Sequence, residues 1–110
     1  MENGAEIFVS SLEVPPGRRI AADYGLVQGS TVQSRHLGRD ILAGLKNIVG
    51  GELRSYTQLL EKARAEAVSR MVEEARARGA NAVVNVRFST ATVTEGAAEI
   101  LAYGTAVTLE

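Results

Sequence analysis

Hydrophobic positions change their spacing several times along this chain, and each change marks an element. Residues 6–10, Glu-Ile-Phe-Val-Ser, form a short β-leaning run that stops before the turn Pro15-Pro16-Gly17. Residues 18–28 alternate Ile20, Ala22, Tyr24 and Leu26 against Arg19, Ala21, Asp23 and Gly25, the period of two that a half-buried strand requires. Gly29-Ser30 interrupts that alternation, and a loop is expected to follow. From Leu37 to Val49 the period becomes helical. At about 100° per residue, Leu37, Ile41, Leu42, Leu45, Ile48 and Val49 fall within roughly 140° of arc. Arg39, Asp40, Lys46 and Asn47 lie on the other side, and Gly50-Gly51 is a natural stop for this short first helix, since glycine reaches the left-handed cap conformation without a Cβ penalty.

Ser55-Tyr56-Thr57-Gln58 has the form S-x-x-Q, a capping box that predicts the start of a second helix running to Arg78 and ending at Gly79. Along it Tyr56, Leu60, Ala63, Ala67, Met71 and Ala75 make an apolar stripe stepping mostly by four. Lys62, Glu66, Arg70, Glu74 and Arg78 step in parallel with alternating sign, so each neighbouring pair is an i,i+4 contact that supports helicity and solubility. Residues 82–94, then Glu95-Gly96-Ala97, then residues 99–109 read as a β-hairpin rich in Val, Thr and Ala. Both parities of its strands are largely apolar, whereas a sheet with one solvated face alternates more cleanly. Both faces are therefore expected to be covered. One long helix covers one face; the other falls to the short first helix or to a neighbouring subunit, the more economical solution for a chain this small.

The expected architecture is α+β: one domain over residues 1–110, with a core of about 18–109. An antiparallel sheet lies under one long helix, with an extra N-terminal strand and the short first helix. Composition narrows the chemistry. The chain has 110 residues, 45% of them hydrophobic and 23% charged, which places it among globular proteins. Its formal charge of −1 provides no bulk attraction for nucleic acid or an anionic membrane, although ten arginines stand against two lysines. No nucleic-acid or membrane partner is expected. With no basic and apolar leader after Met1, the expected compartment is the cytoplasm.

Catalytic motifs are missing: G-x-G-x-x-G, G-x-x-x-x-G-K-[ST] and G-x-S-x-G do not occur. No cysteine is present and His36 is the one imidazole, so no Cys/His zinc pattern can be written; no cofactor is predicted, and a divalent metal would have to rely on oxygen donors or on His36. Flanked by Ser34, Arg35, Leu37 and Gly38, His36 reads as an ordinary loop or helix-start histidine. Arg39-Asp40 is a solvated or intersubunit ion pair, or else an anion-binding group beside Gly50-Gly51. Together with Tyr56 and Arg64, these two polar residues near the helix junction are the candidate ligand-binding set: Arg39, Asp40, Tyr56 and Arg64. No catalytic residue is assigned, and a non-enzymatic role is expected.

One ordered series of segments is recognisable. Tyr24-Gly25-Leu26-Val27-Gln28-Gly29, Arg39-Asp40, Ile48-Val49-Gly50-Gly51, Tyr56, Ala63-Arg64-Ala65-Glu66-Ala67, Gly79-Ala80-Asn81-Ala82-Val83-Val84 and Tyr103-Gly104-Thr105-Ala106-Val107 resembles the YbjQ-like family over about residues 24–107. These are small bacterial and archaeal proteins of unknown function that often carry a heavy-metal-binding label. The resemblance implies a β-α-β-β core similar to the dodecin subunit and assembly of the chain with itself into a ring, usually a pentamer. It also implies a metal-binding or metal-sensing alternative, which the ligand inventory opposes. Soft metals prefer thiolate, thioether and imidazole donors. This chain offers no cysteine, one histidine and two methionines, one of which, Met71, lies on the apolar stripe.

Overall fold

The computed structural model describes residues 6–33, 52–94 and 97–110. The expected first helix at 37–49, its Gly50-Gly51 stop, and His36, Arg39 and Asp40 lie outside the described residues. In chain order the elements are β1 (Phe8–Val9), β2 (Ile20–Gln33), α1 (Glu52–Ala77), β3 (Ala82–Thr94) and β4 (Ala97–Leu109). They form one four-stranded sheet in the order β1-β3-β4-β2. The architecture is α+β, as the periodicity predicts. β2 and β3 run antiparallel to β4, but β1 runs parallel to β3, pairing Phe8 with Ala82 and Val9 with Val83. The sheet is thus mixed rather than wholly antiparallel, and β1 is shorter than the run at 6–10.

β2 does not break at Gly29-Ser30; it continues to Gln33, pairing Gly29 with Ala102 and Ser30 with Leu101. The glycine is there for a different reason. A Cβ on Gly29 would fall 2.3 Å from both the Ala67 carbonyl oxygen and the Met71 amide nitrogen. Gly29 marks the point where the helix backbone meets the strand. The stripe of small residues works from the other side of that contact: Ala63, Ala67, Met71 and Ala75 are buried, together with Val27, Val83, Ile100, Ala102 and Ala106. Thr31, also on this face, is buried and donates its hydroxyl to the Ala63 carbonyl at 3.3 Å.

α1 begins at Glu52, so Ser55 lies inside the helix and is not its N-cap. Glu52, Leu53 and Arg54 are good helix formers, and their propensity carries the helix past the S-x-x-Q signal. The C-terminus ends as expected. Gly79 takes φ +86°, its N–H donates to the Arg76 carbonyl, and the Ala80 N–H donates to the Ala75 carbonyl, the two bonds of a Schellman cap. Asn81 follows, and its side-chain amide pairs with both backbone groups of Leu109: Oδ1 accepts from N–H at 2.8 Å and Nδ2 donates to C=O at 3.0 Å. That bridge ties the helix exit to the end of β4.

The sheet face away from α1 has a cover that periodicity did not anticipate. At one end, Ala82, Val84, Val107 and Leu109 form a second buried cluster. Residues 10–19 must travel from β1 on one flank of the sheet to β2 on the other. They hold the β3 edge through Ser10 and Leu12, whose carbonyls accept from Val86 and Asn85, and they reach the end of β4 where Arg19 and Glu110 exchange backbone hydrogen bonds. Pro15 on this crossover is buried, and Glu13 lines a small cavity with Val84 and Val107, which puts the crossover on this face. The chain's own N-terminal segment is thus part of the second cover. β3 bulges beside it, with Val84 opposite Thr105 and Arg87 opposite Tyr103, and Asn85 absorbs the extra residue at φ +57°. Asparagine visits this left-handed region more readily than most side chains.

Candidate functional site

Among the described residues β2 is an edge strand, and its outward backbone groups would be a template for another strand if left free. The charged row of α1 engages them. The Arg78 guanidinium donates to the carbonyls of Tyr24 and Leu26, both at 2.9 Å. The Glu74 carboxylate accepts from the Gln28 N–H at 2.8 Å and also pairs with Arg78 at 3.1 Å. Arg70 donates to the Ser30 carbonyl at 2.5 Å. Alternation of sign along the helix therefore matches the alternation of outward acceptors and donors along the strand. The row read from sequence as a solvated ladder is a latch on the sheet edge.

This latch borders the larger of two described recesses. A groove of about 600 Å³ is lined by Gln28, Gly29, Ser30, Arg70, Glu74, Glu99 and Leu101. It brings one guanidinium, two carboxylates, an amide and a hydroxyl beside an apolar side chain, a lining suited to a small polar ligand. Glu99 makes no ion pair among the described residues and lies between Val32 and Ala91 in the ladder. A smaller recess of about 200 Å³ is lined by Glu13, Ile20, Asp23, Val84, Asn85, Thr105 and Val107. The Asp23 carboxylate there is turned to its own chain, accepting from the Gly25 N–H at 2.8 Å.

Of the residues singled out from sequence, Arg39, Asp40 and His36 fall outside the described part. Tyr56 belongs to α1 and its side chain is also outside the description, while Arg64 is exposed on the same helix. Eight residues of helix separate these two, about 12 Å along the axis at 1.5 Å per residue. Arg70, Glu74, Gln28, Ser30 and Glu99, which line the groove, were not among the candidates. A signal for two of them was present: the i,i+4 row adjoins the apolar stripe, so its side chains can reach the edge of whatever strand the stripe covers. Nothing in the spacing indicated which strand that was.

Comparison with known proteins places the chain. A family model, YbjQ, described as "Putative heavy-metal-binding", matches residues 7–110. The chain belongs to that family. A UPF0145 protein of Hahella chejuensis is 61% identical over 104 residues, covering 94% of this chain and 100% of that protein. A UPF0145 protein of Thermus thermophilus is also 61% identical, over 96% of this chain and 92% of the relative, and one from Archaeoglobus fulgidus is 57% identical over 94% and 96%. Among solved structures, a protein of unknown function of the DUF74 family from Pediococcus pentosaceus shares the fold. Its TM-score is 0.61, it is 13% identical, and the match covers 94% of this chain and 98% of that one.

The family description makes metal the first chemistry to check. Among the described residues no group of three or more His, Cys, Asp or Glu side chains could hold a metal ion. Structural and catalytic metal centres take three or four protein donors. The described donor set does not fit a heavy metal, and the chain contains no cysteine to supply a thiolate. No described helix is long and apolar enough to cross a membrane.

Proposed function

We propose that this chain is the subunit of a non-enzymatic, cytoplasmic homo-oligomer, a five-membered ring, that presents a site for a ligand or partner. The observation that carries it is the sheet face opposite α1. Beyond the reach of the crossover, Leu26 and Val32 stand 60% and 55% exposed next to the half-buried Leu101 and Tyr103. Gln28 and Ser30 lie between Leu26 and Val32 on β2, with Tyr103 and Leu101 diagonally across from Leu26 and Val32 on β4, and exposed apolar side chains grouped across two strands support an association surface. The subunit count comes from the family resemblance. Light scattering at micromolar concentration tests it: a species near five times 11.7 kDa is expected, and a monodisperse 11.7 kDa species overturns it.

The ligand site on this reading is the groove between the α1 latch and the exposed sheet face, with Arg70 and Glu99 as its charged groups; Arg39, Asp40, Tyr56 and Arg64 remain the candidates around the helix junction. A small molecule retained through purification and seen by native mass spectrometry is the expected outcome. Loss of that molecule in Arg70→Ala or Glu99→Gln locates it in the groove, and its retention in both places it elsewhere. The family description favours a metal-binding alternative. Calorimetry with zinc, copper and nickel decides it, since a saturable heat in the wild type that is lost in His36→Ala supports metal binding and equal weak heats in both remove it.

A further inference from the structure

The groove beside the latch holds more charge than the fold uses. Of its charged lining residues, Glu74 is spent: one carboxylate oxygen accepts from the Gln28 N–H and the other pairs with Arg78. Arg70 and Glu99 differ. The Arg70 guanidinium meets only the neutral Ser30 carbonyl, a bond that leaves most of its donors without a described partner. Glu99 is half-buried, and its ladder partners Val32 and Ala91 are uncharged. Among the described residues the ion pairs are Arg19–Glu110, Arg76–Glu73 and Arg78–Glu74, and none of them includes Arg70 or Glu99. One recess thus carries a guanidinium and a carboxylate that are neither neutralised nor paired with each other.

Such a lining selects by charge. A ligand with only a carboxylate brings it towards Glu99, and one with only an ammonium brings that towards Arg70; each meets a like charge at close range, where water screens poorly. A ligand carrying both signs satisfies both groups through charge-assisted hydrogen bonds. Spacing sets its size. Ser30 pairs with Leu101 and Val32 with Glu99, so Ser30 and Glu99 are diagonal neighbours in the β2/β4 ladder, about 7–8 Å apart at Cα. The Arg70 guanidinium sits at the carbonyl of the first and the carboxylate extends from the second, so the charged ends of the ligand are a few bond lengths apart. The half-buried Leu101 adds an apolar contact on the same lining, and the Gln28 amide and Ser30 hydroxyl add neutral donors and acceptors.

We propose that the groove binds a small zwitterion of the amino-acid type, a free amino acid or a dipeptide with an apolar side chain. Glu99 takes the ammonium, Arg70 the carboxylate and Leu101 the side chain. This rests on the reading of the groove as the ligand site and adds the chemistry of its ligand. A recess of about 600 Å³ has room for either length.

Leucine and glycyl-leucine are the probes, titrated into the isotope-labelled full chain and followed by amide chemical shifts. Saturable binding at millimolar concentration is expected, with shifts centred on Gln28, Ser30 and Leu101, and the tighter probe reports which length spans the groove. N-acetylleucine, which lacks the cation, and leucinamide, which lacks the anion, are each expected to bind about tenfold or more weakly, the loss of one charge-assisted contact. Glu99→Gln is expected to invert the first preference, with N-acetylleucine binding at least as tightly as leucine, and Arg70→Gln to do the same for leucinamide. Misfolding cannot produce such an inversion, and should a variant lose every probe, the ranking of the probes on the wild type still decides. Blocked forms that bind the wild type as tightly as leucine, a folded Glu99→Gln protein that keeps the wild-type preference, or no saturable binding of either probe overturns the zwitterion. Failure of the groove reading looks different: a probe then binds saturably but shifts residues remote from Gln28 and Leu101, and both readings fall. A molecule retained through purification and lost in Glu99→Gln, from a protein that ignores leucine and glycyl-leucine, removes the zwitterion alone.

Discussion

Among the described glycines, Gly29 is the one at which a single added methyl group meets the most resistance. Its backbone is extended, so alanine at this site carries no dihedral penalty, and replacing glycine in a strand by itself favours the folded state by roughly 0.5–1 kcal/mol. Space decides the sign. The added Cβ would lie 2.3 Å from Ala67 O and Met71 N, against 3.4 Å or more for an ordinary contact, and 2.7 Å from Arg70 Cβ. Both nearest atoms are helix backbone, which cannot rotate away, so α1 has to retreat by about 1 Å. A gap of 0.5–1 Å already forfeits about a quarter to a half of each dispersion contact. The retreat affects Ala63, Ala67, Met71 and Ala75 together, the side chains that make up the helix half of the core. Overpacking of this kind costs about 1–3 kcal/mol and occasionally more. With four core residues displaced, Gly29→Ala is expected to lose about 2–4 kcal/mol, a large share of the roughly 5–15 kcal/mol a domain has. In thermal unfolding followed by circular dichroism, that corresponds to a drop of about 10–20 °C. Gly17→Ala is the control: with φ +75° and nothing within 4 Å, it tests backbone strain alone and is expected to lose only about 1 kcal/mol. A Gly29→Ala melting point within about 2 °C of wild type refutes the close-approach argument.

Three further outcomes follow from other contacts. Asn81→Ala removes both bonds to the Leu109 backbone and leaves a part-buried N–H and C=O without them; a loss of about 2 kcal/mol in urea unfolding is expected, together with faster amide exchange at Leu109. Replacing Arg70, Glu74 and Arg78 by alanine together costs little through lost ion pairing, about 1 kcal/mol or less at these exposed sites, but it frees the β2 edge. Concentration-dependent scattering, absent in the wild type at equal protein concentration, is the expected sign, and an unchanged aggregation threshold contradicts the latch. Asn85→Val puts a β-branched side chain at φ +57° and is expected to cost about 1–2 kcal/mol, whereas Asn85→Gly is expected to be neutral within about 0.5 kcal/mol in the same denaturation assay.

Elements whose signal is local were legible in the chain. The hairpin strands, the apolar stripe of α1 and its Gly79 stop depend on periodicity and on one glycine, and all three are present at the expected places. Gly29 was misleading for an instructive reason. A glycine inside an alternating run breaks the strand when it faces solvent, but it serves the strand when a helix backbone crosses it, and only the crossing distinguishes the two cases. Ser55 misled in another way: the capping box is a local preference of about 1 kcal/mol, and helix formers ahead of it were enough to move the boundary to Glu52. The groove lined by Arg70, Glu74 and Glu99 was not legible as a site, because its residues come from three elements brought together by the sheet order.

Sequence by itself determined the class of this molecule: that a long helix with an apolar stripe ends at Gly79, which stretches pair as a hairpin, and that no thiolate chemistry is available to a chain without cysteine. Hydrophobic period and residue type are properties of neighbours along the chain, so they need no knowledge of the fold. Tertiary structure alone decided the roles of side chains with the same local pattern. The charged row of α1 could have met water or backbone, and it meets backbone because the small stripe beside it lets the helix lie against β2 at Gly29. The second face could have been covered by a helix or a neighbour, and one end of it is covered by residues 10–19 because β1 and β2 sit on opposite flanks of one sheet. Those outcomes depend on distances between segments far apart in sequence, and they are set by packing.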